Sequence, residues 1–471
     1  MARSLARMTT AVNAVTVRFV AVLLLAACGY SKDGAKTPAP SAPTRVFLIT
    51  LDTVRADELG AFGAARPLTP RLDELALAGT RFTRAMAPMP ETIPSHVSMF
   101  TGRYPFAHGV ENNFHSLSSD ATTLAELLSA AGVATAAAFH VVPFGDSQIT
   151  QGFAATGWEK GPTGAKVGKG IIDWLDKLPA AQPAFAWLHW YIAHDPYEPP
   201  EEFARRVVTH PYTGPLATDE AARGKLAKTP AEVPADYLVG LRERYEAEVA
   251  FLDATVGKFL DELRLRHALE NALVVVVADH GEAFDPDAIG THATVVRQST
   301  LHVPLFLAGP GVPAARSVGD LVSLVDLFPT LLERFGVALP EVAGGIDGQS
   351  LWPLVRGETS EKTERTGVVF SSLPTLLDQQ KAGQLPSRLV VFSDRFKLLV
   401  TDPEREPKVA LFDLDRDPLE QQEVSRDHPD VVRALVPRIQ QWVTKTKSAR
   451  LAPGPISDSA RELLKKLGYG E

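Results

Sequence analysis

Along the chain, apolar positions follow two rhythms that take turns. Residues 44–52, TRVFLITLD, form a β-branched and aromatic run ending in an acid. PAFAWLHWY (183–191) is a similar run leading into His194-Asp195-Pro196. In ALVVVVADHGE (272–282) residues 273–277 are continuously apolar, as in a strand buried on both faces, and HVPLFLAGPG (302–311) reads as a strand and turn. Between these runs the period lengthens to three or four. TTLAELLSAAG (122–132) places Thr123 and Glu126 at capping-box spacing and Gly132 where a helix would stop. Tyr245, Val249, Leu252, Val256, Phe259 and Leu263 mark one face of a long helix over about 241–263. VDLFPTLLERFG predicts a further helix ended by Gly336. Strands alternating with helices predict an α/β fold around an open sheet. In such sheets function gathers beyond the carboxyl ends of the strands.

After Gly357 the rhythm changes. VVFSS, SRLVVFSDRFKLLV and VALFDLDRDP predict short antiparallel strands, and DHPDVVRALVPRIQQWVTKT an amphipathic closing helix. The expected organisation is a catalytic domain over 44–357, a small C-terminal α+β subdomain over 358–450 and a tail over 451–471.

The first residues change the picture of where the protein works. Arg3, Arg7 and Arg18 precede the apolar run FVAVLLLAA, which is too short to span a bilayer and ends at Leu25-Ala26-Ala27-Cys28. This resembles a bacterial lipobox, so residues 1–27 are expected to be a signal peptide and Cys28 the lipidated first residue. Residues 28–43, rich in Pro, Ala and Ser, read as a tether. An exported lipoprotein on the periplasmic face of a membrane or at the cell surface is expected. Gly29 after Cys28 lacks the Asp associated with inner-membrane retention, which leans toward the outer membrane. Cys28 is the single cysteine, so no internal disulfide can form. A net charge of −8 without a basic tract argues against nucleic acid as a partner. Oligomeric state is left open.

Candidate chemistry sits at the strand ends. Asp52 follows the first run; Asp279 and His280 follow the apolar 273–277 run. Two hard carboxylates and one borderline imidazole make a plausible divalent-cation set.

LITLDTVRADELGAFG, TIPSHVSMFTGRYPFAHGV, FAWLHWYIAHDPYEPP, VVVADHGEAF and LHVPLFLAGPG occur in the order found in bacterial sulfatase-like proteins. The chain therefore resembles the sulfatase-like family of the alkaline phosphatase superfamily from Arg45 to about Trp442. The resemblance implies an alkaline-phosphatase-like mixed, largely parallel sheet covered by helices on both faces. It implies metal ligands Asp52, Asp279 and His280, with Thr92 at the nucleophile position also touching the metal. His194 and His292 would contact the ester's anionic group or leaving oxygen. His96 stands where the family has Arg, and His140 where it has Lys; both would line the substrate pocket. The second acid of the family's Asp-Asp pair is Thr53. One divalent ion is expected: Ca²⁺, Mg²⁺ or Mn²⁺, with Zn²⁺ also open.

Thr92 replaces the cysteine that sulfatases oxidise to formylglycine, so no formylglycine is expected. A threonine hydroxyl near a metal can attack an ester. A sulfated aldehyde hydrate expels sulfate by re-forming its carbonyl; sulfo-threonine has no such exit, whereas phospho-threonine is open to in-line displacement. The expected activity is hydrolysis or transfer of phosphoric or sulfuric esters, phosphorus esters first, on a small anionic ester, a glycan or a lipid headgroup. The alternative is a catalytically silent lipoprotein that binds a glycan or anion, with Ser95 and Thr101 merely capping the helix after the signature.

Overall fold

The computed structural model describes residues 45–140, 147–159, 164–179, 181–211, 234–285, 288–358, 368–373, 387–403, 407–459 and 461–462. The expected signal peptide, the expected lipidation at Cys28 and the expected tether fall outside these residues. The strands in chain order are β1 (Arg45–Leu51), β2 (Thr80–Met86), β3 (His115–Ser116), β4 (Ala134–His140), β5 (Ala155–Glu159), β6 (Ala184–Trp190), β7 (Ala272–Ala278), β8 (Ala283–Asp285) and β9 (Ala288–Thr291). They continue with β10 (His302–Ala308), β11 (Arg316–Val318), β12 (Val322–Ser323), β13 (Val368–Leu373), β14 (Arg388–Ser393), β15 (Phe396–Thr401), β16 (Lys408–Asp413) and β17 (Gly454–Pro455).

A nine-stranded sheet runs β11-β2-β10-β7-β1-β6-β4-β5, with β12 beside β2. β5, β4, β6, β1 and β7 are mutually parallel; β10 runs against both β7 and β2. The expected mixed, largely parallel α/β sheet is thus present. Its central strands are apolar and buried over their full length, which requires cover on both faces. Trp187 and Trp190 of β6 show that cover: Trp187 meets Phe100 of the Thr92–Thr101 helix at 4.9 Å, and Trp190 meets Phe259 of the Ala235–Leu265 helix at 5.7 Å. Side chains at odd spacing on a strand point to opposite faces, so the two helices lie on opposite sides of the sheet.

The expected helices form. The Leu124–Ala130 helix opens with the Thr123–Glu126 capping box, and Gly336 closes the Leu327–Phe335 helix at φ 68°. The C-terminal strands make an antiparallel sheet β13-β14-β15-β16, against which the Pro429–Ser448 helix packs through Leu435, Ile439 and Trp442. The β3–β17 pair draws the start of the expected tail back onto the large domain. No described helix is long and apolar enough to cross a membrane.

Candidate metal and ester site

Because β1, β4, β6 and β7 are parallel, their carboxyl ends open at one edge of the sheet. Asp52 follows β1, His140 ends β4, His194 lies just past β6, and Asp279 and His280 follow β7. The Thr92–Thr101 helix starts at the same edge with Thr92 as its first residue. Its amino end favours negative charge.

The three expected ligands converge. One donor atom each from Asp52, Asp279 and His280 lies within 4.8 Å of the others, and all three residues are buried. Each carboxylate has one oxygen already held. Asp52 Oδ2 accepts from His189 Nε2 at 3.0 Å. Asp279 Oδ1 accepts from the backbone N–H of His280 at 2.8 Å and of Thr53 at 3.3 Å. The remaining oxygens, Asp52 Oδ1 and Asp279 Oδ2, find no hydrogen-bond donor. His280 Nδ1 donates to the Gly281 carbonyl at 3.0 Å, which leaves Nε2 as a donor atom toward the same spot. Two unmatched buried carboxylate oxygens and an oriented imidazole fit a divalent cation by number and chemistry.

The electrostatics agree. Burial raises the pKa of Asp52, partly offset by His194 and His280. Burial and then the charge of Asp52 raise that of Asp279. Burial alone would lower His280, but Asp279 and Asp52 outweigh it and hold the imidazole up. Burial is the main cause for both carboxylates, and the two flanking acids are what hold the His280 imidazole up.

Thr92 Oγ1 lies 3.2 Å from His280 Nε2, at the edge of this set. Ser95, one turn along, donates to the Asp279 carbonyl at 2.7 Å, tying the helix to the end of β7 instead of capping a later helix. Thr101 also caps nothing; it donates to the Val97 carbonyl at 2.7 Å. Thr53 adopts φ 57°, and its hydroxyl bonds to the Ala193 and Asp52 carbonyls at 2.8 Å. Where the family supplies a second acid, this side chain is turned to the backbone.

The histidines separate into two groups. His194 and His292 lie beside the ligand set, their rings 5.0 Å apart, with His292 4.5 Å from the His280 ring. His194 Nδ1 donates to the Asp195 carbonyl at 2.6 Å, and burial pushes its pKa down to about 4. His96, expected to line the pocket, is fully buried beneath Thr92. Its Nδ1 donates to the Thr92 carbonyl at 2.8 Å, its Nε2 meets Thr50 Oγ1 at 3.1 Å, and its ring packs on Trp187. Burial lowers its pKa to about 3, so it carries no charge to an anion. His140 stands edge-on to Tyr191 at 6.4 Å; Tyr191 in turn stacks on His194 at 4.1 Å.

Four participants escaped sequence reasoning. His189, hidden in an apolar strand run, orients Asp52. Glu282 and Tyr197 are joined by a 2.9 Å hydrogen bond next to His292. Glu91, the residue before Thr92, accepts from the Asn113 N–H at 2.9 Å, and burial brings its pKa to about 7. The acid in DHGE was the one legible signal among them.

Residues 44–337 match the family model described as Sulfatase, and residues 293–446 match that described as N-sulphoglucosamine sulphohydrolase, C-terminal. The chain is 24% identical to arylsulfatase K of Bos taurus, covering 92% of this chain and 88% of that one. Among solved structures, the phosphonate monoester hydrolase of Agrobacterium radiobacter superposes with a TM-score of 0.69 at 22% identity, covering 86% of this chain and 96% of that chain. A protein solved with its substrate D-glucosamine-2-N,6-O-disulfate superposes with a TM-score of 0.70 at 18% identity, covering 87% and 99%.

Proposed function

This chain belongs to the sulfatase family, and on that footing we propose that it cleaves or transfers a phosphorus ester through Thr92, sulfate esters ranking second. The observation that carries the reading is the placement of the Thr92 hydroxyl 3.2 Å from His280 Nε2, at a helix amino end beside two partnerless carboxylate oxygens. Asp52, Asp279 and His280 would hold one divalent ion. When bound, that ion would offset the two carboxylates and draw charge from the ester's non-bridging oxygens. Thr92 Oγ1 attacks the phosphorus in line, its proton is lost, and the leaving oxygen is protonated by way of His194 or His292. Water or an acceptor hydroxyl then attacks the phosphorus of phospho-Thr92, the bond to Oγ1 breaks, and the proton shed by the incoming oxygen is balanced by one taken up at Oγ1. His96 contributes from below, holding the Thr92 carbonyl and so the first turn of the helix.

Two kinds of relative inform the substrate. One acts on phosphonate monoesters and another on a sulfated glucosamine, by their descriptions. A small anionic ester, a glycan or a lipid headgroup suits a protein exported and anchored through Cys28, which is part of the same reading. The second reading is an anion-binding protein without turnover. It is favoured by Thr53, whose hydroxyl is turned to the Ala193 carbonyl where the family has an acid. The test is a side-by-side assay of aryl phosphate monoesters, phosphate diesters, phosphonates and sulfates, each with Ca²⁺, Mg²⁺, Mn²⁺ and Zn²⁺. Metal-dependent hydrolysis of a phosphorus ester is expected. Turnover of sulfate esters alone would reverse the ranking, and metal binding with silence on all esters and on acceptor-supplemented mixtures would favour the second reading.

A further inference from the structure

His292 is held by a carboxylate. Its Nδ1 lies 3.4 Å from both Glu282 Oε1 and Glu282 Oε2. Glu282 is fully buried, and its other contacts are the Tyr197 hydroxyl on Oε2 at 2.9 Å and the Ala283 N–H on Oε1 at 3.3 Å. Three donors thus converge on one carboxylate, which makes Glu282 an acceptor for its neighbours and not a fourth member of the metal set. The other candidate proton carrier, His194, is oriented differently, by the neutral Asp195 carbonyl. Tyr197 belongs to the HDPY loop that also carries His194, while Glu282 and His292 flank the β8–β9 hairpin. The Tyr197–Glu282–His292 chain therefore ties the two loops together around one imidazole.

We propose that Glu282 is a positioning residue for His292: it accepts Nδ1–H, fixes the ring and leaves Nε2 as the atom that exchanges protons with the ester. This rests on the reading of the site as ester-cleaving. Attack is in line, so His292 serves the leaving side alone: as the bond from phosphorus to the leaving group breaks, its electron pair stays on the leaving oxygen, which takes the Nε2 proton, while the Thr92 hydroxyl proton passes to solvent. Water attacking phospho-Thr92 from that same side then gives a proton back to Nε2, with Nδ1–H on Glu282 throughout. Tyr197 supports Glu282 through its hydroxyl.

Two measurements on the purified full-length protein decide the matter. In the first, ¹⁵N-histidine labelling, with His292 assigned by the signal lost in His292→Asn, reads the tautomer. A proton on Nδ1 is expected; His292 with an unprotonated Nδ1 overturns the proposal, whether or not the protein turns over. In the second, Glu282→Ala and Tyr197→Phe are assayed on a nitrophenyl and an alkyl ester of the same phosphorus acid. A displaced Nε2 matters most when the leaving oxygen needs a proton. Glu282→Ala should lower kcat for the alkyl ester about 10–100-fold, leave KM nearly unchanged and affect the nitrophenyl ester far less, with Tyr197→Phe in between. Equal losses for both esters, or a change in KM alone, would overturn the positioning role. Wild-type protein inactive on every ester defeats the functional reading instead, and the tautomer still decides the geometry.

Discussion

Asp279→Asn should stabilise the metal-free protein and destabilise the metal-loaded one. Asp52 and Asp279 bring donor atoms within 4.8 Å of each other in a fully buried site. At an effective dielectric constant of about 20, two unit charges at that separation repel by about 3.5 kcal/mol. The amide keeps an oxygen for the His280 and Thr53 N–H groups and places an NH₂ where Asp279 Oδ2 now lies 3.7 Å from His280 Nε2. Most of the repulsion is thereby removed without orphaning a partner. For a chain of 471 residues, an unfolding entropy of about 2 cal/mol/K per residue makes 1 kcal/mol worth about 1 °C. In chelator at pH 7, Asp279→Asn should melt about 2–3 °C above wild type. With metal at a thousand times its Kd, wild type gains about 4.1 kcal/mol and the variant little, so the order reverses. The pH dependence has a defined sign. The Asp279 pKa is raised in the fold above 3.8, so the metal-free wild type loses stability as pH climbs from there through the folded value. The gap between variant and wild type should therefore close in acid. Melting curves in chelator and in each of the four metals suffice. An Asp279→Asn protein that melts below wild type in chelator at neutral pH, or a wild type that no divalent ion stabilises, would refute the reasoning.

Two further outcomes follow from buried contacts. Lys397, fully buried in the C-terminal sheet, donates to the Val296 carbonyl and to Glu420 Oε2, the latter at 2.6 Å, and Glu420 Oε1 accepts the Gln298 N–H at 2.7 Å. Lys397→Met strands the Glu420 charge and should cost about 3–5 kcal/mol, read as a lower melting temperature; melting within a degree of wild type would contradict it. His96→Leu takes the imidazole donor from the Thr92 carbonyl, while Thr50 Oγ1 keeps Trp187 Nε1 and His189 Nδ1, and should cost about 1–3 kcal/mol. Its KM should hold while stability falls, and a rise in KM at unchanged melting temperature would return His96 to the substrate pocket.

Much of this arrangement was visible in residue pattern. β1, β6 and β7 announce themselves because a strand covered on both faces must be apolar throughout, and an acid at the end of such a run has few structural reasons to be there. β2 and β4 stayed silent for opposite reasons. β2, TRFTRAM, carries two half-buried Arg and alternates imperfectly. β4, ATAAAFH, is built of alanines, one of which, Ala137, pairs in register with Trp187 of β6. The Asp52, Asp279, His280 and Thr92 cluster was legible from strand ends and motif order. His96 lies beneath Thr92, its Nδ1 3.7 Å from Asp279 Oδ2, because an imidazole is shorter than the Arg expected at its position. One helical turn after Thr92, it reaches back to that residue's carbonyl and stops in the core. His189 and Tyr197 were illegible because their roles arise from pairing across the sheet and between loops, which no local pattern encodes.

The most direct test of the central claim is the mass of the tryptic peptide containing Thr92 after acid quench during turnover of a phosphorus ester. A phosphoryl group on Thr92 in the wild type, absent together with turnover in a Thr92→Ala protein that still melts cooperatively and binds metal, is the predicted result. Full activity in Thr92→Ala, or the phosphoryl group on any other residue, would contradict the account.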